Sequence, residues 1–210
     1  MDDEKEVVAH AKNDPEAFGR LYDSYYQPIF GFLLKRTGNV AVAQDLASET
    51  FFQALKAINR YKDKGKPFKS WLFTIAVAQI GNYYRSRSKM LQVTTDECPE
   101  LVAGVEYQPD VIATEEEEQN EMQEMFVLMK SKMKQLNQRQ QTILTLRYFS
   151  HMSVPEIAAT MNMKEGTVKS HIHRSIKKLQ VLMTEEPTQE ILYEPARSAD
   201  NRTALGATSR

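Results

Sequence analysis

Several patterns that indicate other protein classes are scarce in this chain of 210 residues. Its single cysteine, Cys98, excludes an internal disulfide and a cysteine-based metal cluster. The longest mostly apolar run, Trp71 to Ile80, is far shorter than the roughly 20 residues that a membrane span needs, and the acidic start MDDEKEVV is untypical of a signal peptide. Eight glycines and little β-branched alternation leave little material for a sheet. We therefore expect an all-α, cytoplasmic protein without membrane insertion.

Signatures of catalysis are also missing. The sequence contains no Gly-rich phosphate loop, no HExxH and no Gly-x-Ser-x-Gly motif. His171 and His173 lie two residues apart on a predicted helix and point about 200° away from each other, so they cannot share a metal ion. We therefore expect neither an enzyme nor a metal or other cofactor.

Charge, in contrast, is strongly segregated behind a net charge of −1. Residues 56–90 contain nine Lys/Arg and one Asp/Glu, and residues 121–183 contain ten and four. Between them, residues 91–120 contain nine Asp/Glu and no Lys/Arg. Separate basic segments are typical of surfaces that bind phosphate backbones. The pattern predicts two DNA-facing modules on either side of an acidic linker.

Residues 153–182 have the pattern of two helices joined by a tight turn. Ser153 and Glu156 match an S-x-x-E capping box, and Asn162 begins a turn because it tolerates left-handed backbone geometry. On the second helix an apolar stripe lies within roughly 80° of Val168 and predicts the buried side; it contains Val168, Ile172, Ile176, Leu179 and Leu182. The opposite stripe is rich in hydrogen-bond donors and contains Ser170, His173, Arg174 and Lys177. Such a helix is typical of major-groove recognition, although an ordinary amphipathic surface helix fits the same spacing.

Helix patterns upstream predict a helical N-terminal unit. Asp14-Pro15-Glu16 starts a helix that ends at Gly38, and Pro28 is expected to kink or split it. Asn39 caps a second helix over about Ala41–Asn59. Its predicted buried stripe is Ala47, Phe51, Ala54, Leu55 and Ile58, and its other face contains Asp45, Glu49, Phe52, Gln53 and Lys56. An exposed aromatic between carboxylates suggests a docking surface, although a solvated face with one stray aromatic is the alternative.

A cationic loop, RYKDKGKP, precedes a mostly apolar helix over about Ser70–Arg87. One narrow face of this helix has only small or polar residues, which allow a nucleic-acid strand to approach closely; they are Thr74, Ala78, Gly81, Asn82 and Arg85. Aromatics beside a cationic loop are used to hold single strands, although core packing explains most of these aromatics equally well. Periodicity is lost from Leu91 to about Gln119. A helical pattern resumes near Glu115 and continues through Met133, and Leu136–Phe149 predicts another helix.

Three motifs are similar to those of a known family. Ala43–Leu55, AQDLASETFFQAL, resembles an Asp-Leu-x-Gln-Glu-x-Phe helix, with Ser48 in place of Gln. Pro67–Arg87 resembles a Trp-Leu-x-x-Ile-Ala segment with an Arg-rich end, with Val77-Ala78 in place of Arg-Asn. Leu136–Leu179 resembles a DNA-binding helix-turn-helix. In this order they are typical of the extracytoplasmic-function group of bacterial RNA polymerase sigma factors.

The resemblance implies two small helical domains joined by a flexible acidic linker, the second a helix-turn-helix domain. Residues 1–90 would form a region 2-like domain that binds core polymerase and the −10 element. Residues 91–119 would be the linker, residues 120–183 a region 4-like domain that binds the −35 element, and residues 184–210 a disordered tail. The protein would then direct promoter-specific transcription initiation as an alternative-type sigma factor.

The resemblance, together with the charge pattern and the helical positions above, gives the site residues. For the −35 element they are Lys169, Ser170, His173, Arg174 and Lys177, with Lys164, Thr167 and Arg147 near phosphates. For the −10 element they are Lys62, Lys64, Lys66, Asn82, Tyr83, Arg85 and Arg87. For the clamp helices of the largest polymerase subunit they are Asp45, Leu46, Glu49, Phe52 and Gln53. The family ties the Asn that is absent at Ala78 to strand recognition, so strand opening would be weaker, differently specific, or shifted to Asn82 and the loop from Tyr61 to Pro67.

The implied partners are core RNA polymerase, promoter DNA and an anti-sigma factor. Two other functions remain open from the residues alone. A stand-alone helix-turn-helix regulator would account for the last third of the chain and leave the first basic segment unexplained. A polymerase-binding protein without promoter-opening activity would fit the departure at Val77-Ala78.

Overall fold

The computed structural model describes residues 2–63, 66–93 and 127–184, and all regular structure in these ranges is helical. The α-helices are α1 (Asp2–His10), α2 (Pro15–Thr37), α3 (Val40–Ala57), α4 (Phe68–Val93), α5 (127–134), α6 (Gln138–Leu144), α7 (Val154–Met161) and α8 (Glu165–Thr184). A 3-10 turn, Ile58–Arg60, follows α3, and a π-helical turn, Thr145–Phe149, follows α6. The expected all-α class is confirmed. Except for 91–93 and Thr184, the predicted linker and tail lie outside the described residues.

The helix ends in the N-terminal domain follow the predicted capping residues. The Asp14 side chain accepts a hydrogen bond from the Glu16 N–H, and Pro15 occupies the first turn of α2. Gly38 ends α2 with a φ of 67°, a left-handed conformation that glycine adopts without a Cβ clash. The Asn39 side chain then accepts from the Val42 N–H at 3.0 Å and starts α3. These two adjacent caps allow α3 to fold back onto α2.

Helix α2 passes through Pro28 without being split. Proline has no N–H, so the Ser24 carbonyl loses its partner four residues ahead. Both residues are exposed, and water can satisfy this carbonyl. The proline is therefore tolerated on the solvent-facing side of the helix.

Helices α2, α3 and α4 pack around an aromatic core. The fully buried rings of Phe32 and Phe73 meet edge to face with centroids 5.6 Å apart. The predicted buried stripe of α3 is confirmed for Ala47, Phe51, Ala54 and Ile58. It is wrong for Leu55, whose side chain is 49% exposed because its edge of α3 lies outside the contacts with α2 and α4.

Helix α1 has no counterpart among the sequence-based expectations. The Tyr25 hydroxyl donates to the Glu4 carboxylate at 2.7 Å and attaches α1 to α2. Burial and this carboxylate raise the pKa of Tyr25. The Lys5 ammonium lies 3.4 Å from the Asp63 carboxylate in the cationic loop. Thus α1 contacts both the core and the start of that loop.

The predicted helix over Leu136–Phe149 is present in a different form. The α-helix begins at Gln138 after a capping box between Asn137 and Gln140. Its last turn widens, and the Ser150 N–H donates to the Thr145 carbonyl five residues back. The wider turn keeps Leu146 in the core while Tyr148 and Phe149 remain about half exposed.

The helix-turn-helix has the predicted geometry. The Glu156 carboxylate accepts from both the N–H and the hydroxyl of Ser153 at 2.7 Å. Burial alone would raise the pKa of Glu156, but these bonds and nearby Lys69 hold it below its usual value. Asn162 ends α7 with a φ of 50°, as its turn role requires, and His151 lies in a turn with a φ of 51°.

Removing the Ser153 hydroxyl is expected to destabilise the protein at neutral pH. Ser153→Ala should lower the free energy of unfolding by about 1 kcal/mol, since a capping bond at α7 is lost. Because the pKa of Glu156 is lowered in the fold, its contribution is present above the ordinary glutamate value of about 4.3 and is lost as the pH falls through the lowered value. The difference between wild type and variant should therefore narrow in acid, as measured by urea unfolding at several pH values.

The matched control is Ser24→Ala. Ser24 is exposed inside α2, and its hydroxyl donates only to the Arg20 carbonyl of the same helix. Alanine is the better helix former, so this variant should be neutral or slightly stabilising. Equal losses from both serines would contradict the assignment of the cap.

The two helical domains contact each other directly. Helix α4 packs on α7, and α2 packs on the π-helical turn. Buried side chains of both domains belong to one hydrophobic cluster. In the described ranges, none of the helices combines the length and apolar character needed to cross a bilayer.

Candidate functional site

The donor-rich stripe of α8 is exposed, as predicted. Val168 and Ser175 on the other side are fully buried, and Ile172, Ile176, Leu179 and Leu182 are half-buried. The Arg174 Nε donates to the Ser170 carbonyl at 3.2 Å, and the Ser170 hydroxyl donates to the Gly166 carbonyl at 2.9 Å. These bonds hold both side chains along the helix. All five predicted base-reading residues on α8 are exposed, namely Lys169, Ser170, His173, Arg174 and Lys177.

The three predicted phosphate contacts flank this stripe. Lys164, Thr167 and Arg147 are all exposed. Arg147 uses one guanidinium nitrogen to bind the Met152 carbonyl at 3.0 Å, which fixes its side chain on the turn before α7. Lys164 and Thr167 lie at the N-terminus of α8, where a helix dipole favours anions. His171, which faces inward, has a lowered pKa because of burial and the nearby charges of Arg174 and Arg139.

The docking surface on α3 consists of Asp45, Leu46, Glu49, Phe52 and Gln53. Asp45 is exposed, and the Phe52 ring is 49% exposed. The Gln53 amide donates to the Glu49 carboxylate at 2.6 Å, and the Lys56 ammonium lies 3.9 Å from the Phe52 ring centroid. Exposed Leu55, which was part of the predicted buried stripe, adds a second large apolar side chain to the surface of α3. Whether Leu55 is buried depends on the helices that pack against α3, and the helical period does not contain this information.

The predicted −10 residues do not form one cluster. Lys62 and Lys66 are exposed in the loop before α4, while Lys64 lies outside the described residues. Asn82 is 14 residues into α4 from Phe68, which places it about 21 Å farther along the helix. There the Arg85 guanidinium donates to the Asn82 amide oxygen at 2.5 Å, and the Arg87 guanidinium donates to the Tyr83 hydroxyl at 3.0 Å. The residues are therefore spread along α4 and around its surface instead of meeting at one point.

Aromatic packing fixes the cationic loop at the start of α4. The Tyr61 ring lies 5.1 Å from Trp71 and 5.6 Å from Phe68, and its hydroxyl donates to the Lys66 carbonyl at 3.0 Å. Burial and nearby Asp63 and Glu4 raise the pKa of Tyr61. A cleft of about 580 Å³ opens beside this packing. It is lined by Arg60, Tyr61, Lys62, Lys66, Trp71 and Thr74, with Ala159 and Asn162 on the opposite side.

Val77 and Ala78, which stand in place of the family's Arg-Asn, lie on different sides of α4. Val77 packs half-buried against the core, whereas Ala78 is exposed between Thr74 and Asn82 on the narrow face of α4. At this position the narrow face therefore has the methyl group of Ala78 in place of the family's Asn side chain. No cluster of His, Cys, Asp or Glu suitable for a metal ion occurs among the residues described in 2–63, 66–93 and 127–184.

Comparison with known proteins identifies the family of this chain. Residues 21–90 match Sigma-70 region 2, and residues 127–179 match Sigma-70 region 4. The ECF RNA polymerase sigma factor BldN of Streptomyces coelicolor is 34% identical over 182 residues, covering 86% of this chain and 66% of BldN. ECF RNA polymerase sigma factor SigW of Bacillus subtilis is 28% identical, covering 81% of this chain and 90% of SigW.

Two solved structures have a similar fold. CnrH in complex with the cytosolic domain of CnrY superposes with a TM-score of 0.60 at 20% identity, covering 86% of this chain and 97% of CnrH. The sigma factor RpoE of Bartonella quintana, in complex with the anti-sigma factor NepR, gives 0.61 at 22% identity, covering 81% and 98%. With both domain models matched in order, the chain belongs to the extracytoplasmic-function group of the sigma-70 family, whose members direct RNA polymerase to promoters.

Proposed function

We propose that residues 1–90 dock on core polymerase and bind the −10 strand, and that residues 120–183 read the −35 duplex, with residues 91–119 as linker and 184–210 as tail. The observation that carries this assignment is the polarity of α8. Its donor-rich stripe is exposed along about two turns while Val168 and Ser175 on its other side are fully buried. Direct readout of base edges requires such a helix, held by a packed domain.

Core polymerase would bind the α3 docking surface. Phe52 provides an apolar centre, and Asp45 and Glu49 provide an acidic rim that suits a basic helical partner. Both carboxylates and the ring belong to one face of one well-capped helix, so the surface is rigid. A rigid surface loses little entropy on binding.

The separated −10 strand would follow the line from the cationic loop to Arg87. Lys62 and Lys66 would neutralise phosphates, and Asn82 would hydrogen-bond a base edge near Ala78. Tyr83, Arg85 and Arg87 would hold the strand beyond it. Lys64 is included from the sequence alone.

As a sigma factor, the chain is a non-enzymatic initiation subunit, and we place it in the cytoplasm with polymerase. We further propose control by an anti-sigma factor. Support comes from the two structural neighbours, since RpoE is bound to the anti-sigma factor NepR and CnrH to the cytosolic domain of CnrY.

In vitro transcription tests the function as a whole. Core polymerase, the purified protein and sheared DNA of the source genome should yield transcripts whose 5′ ends share upstream −10 and −35 elements. Core polymerase alone should yield none of these starts. If the protein binds core and adds no promoter-dependent start, it is a polymerase-binding protein without opening activity, and the proposal is wrong.

Separate substitutions should distinguish base reading from phosphate contact in the −35 domain. Arg174→Ala should cost about 1–3 kcal/mol in binding free energy at the preferred sequence and relax specificity at one or two positions. Lys164→Ala should weaken all sequences alike and lower the salt dependence by about one phosphate contact. Selection from randomised duplexes at several salt concentrations, with polymerase holoenzyme, measures both effects.

Lys134→Ala is the charge-matched control. Lys134 is exposed in α5, before the helix-turn-helix in the chain, and is not among the assigned DNA contacts. It should leave both specificity and salt dependence nearly unchanged. Loss of specificity in Lys164→Ala, or uniform weakening in Arg174→Ala, would contradict the assigned roles.

A further inference from the structure

Helix α1 lies outside the part of the chain that matches Sigma-70 region 2, which begins at residue 21. Its sequence, DDEKEVVAH, contains four acidic residues and one lysine, so it suits a phosphate backbone poorly. Val8 and, directly after the helix, Ala11 are nevertheless buried in the core, with 5% and 4% of their surface exposed. Any contribution of α1 to DNA binding would therefore act through the elements that it contacts.

Two side chains of α1 reach the residues that hold the cationic loop. The Glu4 carboxylate accepts the hydrogen bond of the Tyr25 hydroxyl at 2.7 Å, and the Tyr25 ring lies 5.6 Å from the ring of Phe68 at the start of α4. The Lys5 ammonium lies 3.4 Å from the Asp63 carboxylate in the loop itself. Because both partners of this ion pair are exposed, it contributes little. The bond between Tyr25 and Glu4 is partly buried and has a charged acceptor, so it is the stronger contact.

From Phe68 the contacts continue into the cationic loop. The Phe68 ring centroid lies 5.6 Å from that of Tyr61 and 5.3 Å from that of Trp71. The Tyr61 hydroxyl donates to the Lys66 carbonyl at 3.0 Å, which joins the two ends of the loop. Lys62 directly follows Tyr61 in the chain. The packing of Tyr61 on Phe68 therefore determines where the backbone at Lys62 and Lys66 lies.

We propose that α1 is a positioning element for the cationic loop. Through the Glu4 carboxylate and the rings of Tyr25 and Phe68, it fixes the backbone that carries Lys62 and Lys66. The proposal rests on the function proposed above, in which these two lysines neutralise phosphates of the −10 strand. A loop that is ordered before binding loses less conformational entropy when the strand arrives. Helix α1 therefore increases the affinity for the strand without contacting it.

Tyr25→Phe tests the contact, because it removes one hydroxyl and keeps the ring on Phe68. In the full chain without DNA or polymerase, the backbone amides of residues 61–63 should exchange their hydrogens about fivefold faster than in the wild type, as measured by mass spectrometry. Amides inside α3 should exchange as in the wild type. Tyr22→Phe is the matched control, since it is the same change on the same helix and the Tyr22 ring packs on Phe51 instead.

Val8→Asn is the stronger variant, and it covers the case in which water replaces the lost hydroxyl. An amide at this buried position has no place in the core and should detach α1. Residues 61–63 should then exchange at least as fast as in Tyr25→Phe. Retained protection inside α3 shows in the same measurement that the domain is still folded. Wild-type exchange of residues 61–63 in both variants would overturn the positioning role.

Binding of a mixed-sequence, fluorescein-labelled single-stranded DNA at several salt concentrations tests the consequence. The affinity of Tyr25→Phe should be about fivefold lower than that of Tyr22→Phe, and its salt dependence should be weaker because the lysines of the loop contact fewer phosphates. Affinity for duplex DNA should be unchanged. Faster exchange with unchanged strand affinity, or an equal loss for strand and duplex, would overturn the effect on strand binding. If the wild type itself does not bind the strand, the proposed function of the loop is wrong, whereas hydrogen exchange still decides whether α1 orders it.

Discussion

Replacing Asp45 and Phe52 together with alanine is expected to reduce the affinity for core polymerase by roughly 30-fold or more, because the variant loses the apolar centre and part of the acidic rim at once. Central aromatic residues of an interface commonly contribute about 2 kcal/mol or more each, which corresponds to this factor. Phe52 is about half exposed and Asp45 is exposed, so both are available to a partner. Titration of labelled protein with core polymerase measures the effect.

The control for this pair is Asp23→Ala with Gln27→Ala. Both residues are exposed on α2, and the pair removes one carboxylate from the same domain. It should bind core polymerase as the wild type does. If Asp45→Ala with Phe52→Ala keeps wild-type affinity, the docking surface lies elsewhere. A loss in both pairs would indicate a general charge effect.

Replacing Phe73 with alanine is expected to have the largest effect on stability. Phe73 is fully buried, and its ring packs edge to face on Phe32 in the centre of the N-terminal domain. Truncation of such a ring leaves a cavity and costs about 3–5 kcal/mol. Since whole domains have about 5–15 kcal/mol of stability, the variant should be close to unfolding at 37 °C. Urea unfolding followed by fluorescence of Trp71, the only tryptophan, measures it in this domain.

Phe52→Ala is the matched control, and it links the two experiments. The Phe52 ring is 49% exposed, and its contact with the Lys56 ammonium is worth about 1 kcal/mol or less. This variant should therefore unfold nearly as the wild type does while losing affinity for polymerase. A large loss of stability in Phe52→Ala would mean that the docking result reports misfolding. A small loss in Phe73→Ala would contradict the described core.

Local signals in the sequence predicted the helix ends well. Asp14, Asn39, Ser153 and Asn162 all act through neighbours within three or four residues, so their effect is contained in the sequence around them. The exposed stripe of α8 was predictable for a similar reason. Its nine apolar and polar positions repeat over about four turns, and the helical period alone separates them.

The structural features that the sequence did not predict depend on contacts between residues that are far apart in the chain. Leu55 lies at the edge of an apolar stripe, and whether it is buried depends on how far α2 and α4 extend over α3. Helix α1 has too few apolar residues to be recognised, and it is held by Tyr25 and by packing of Val8 and Ala11. The π-helical turn at Thr145–Phe149 follows from which side chains the domain can bury. Nothing local in the sequence distinguishes Arg36 from the other basic residues; its burial follows from the helices that pack around it.

The acceptors that α7 offers to α4 are main-chain carbonyls, those of Glu156 and Thr160. Every amino acid provides such a carbonyl, so most changes of side chain on α7 would leave these two bonds possible. Ser70 and Thr74 have no such freedom, because the bonds depend on their hydroxyls. In relatives that keep this contact, we therefore expect small hydroxyl residues to persist at these two positions of α4.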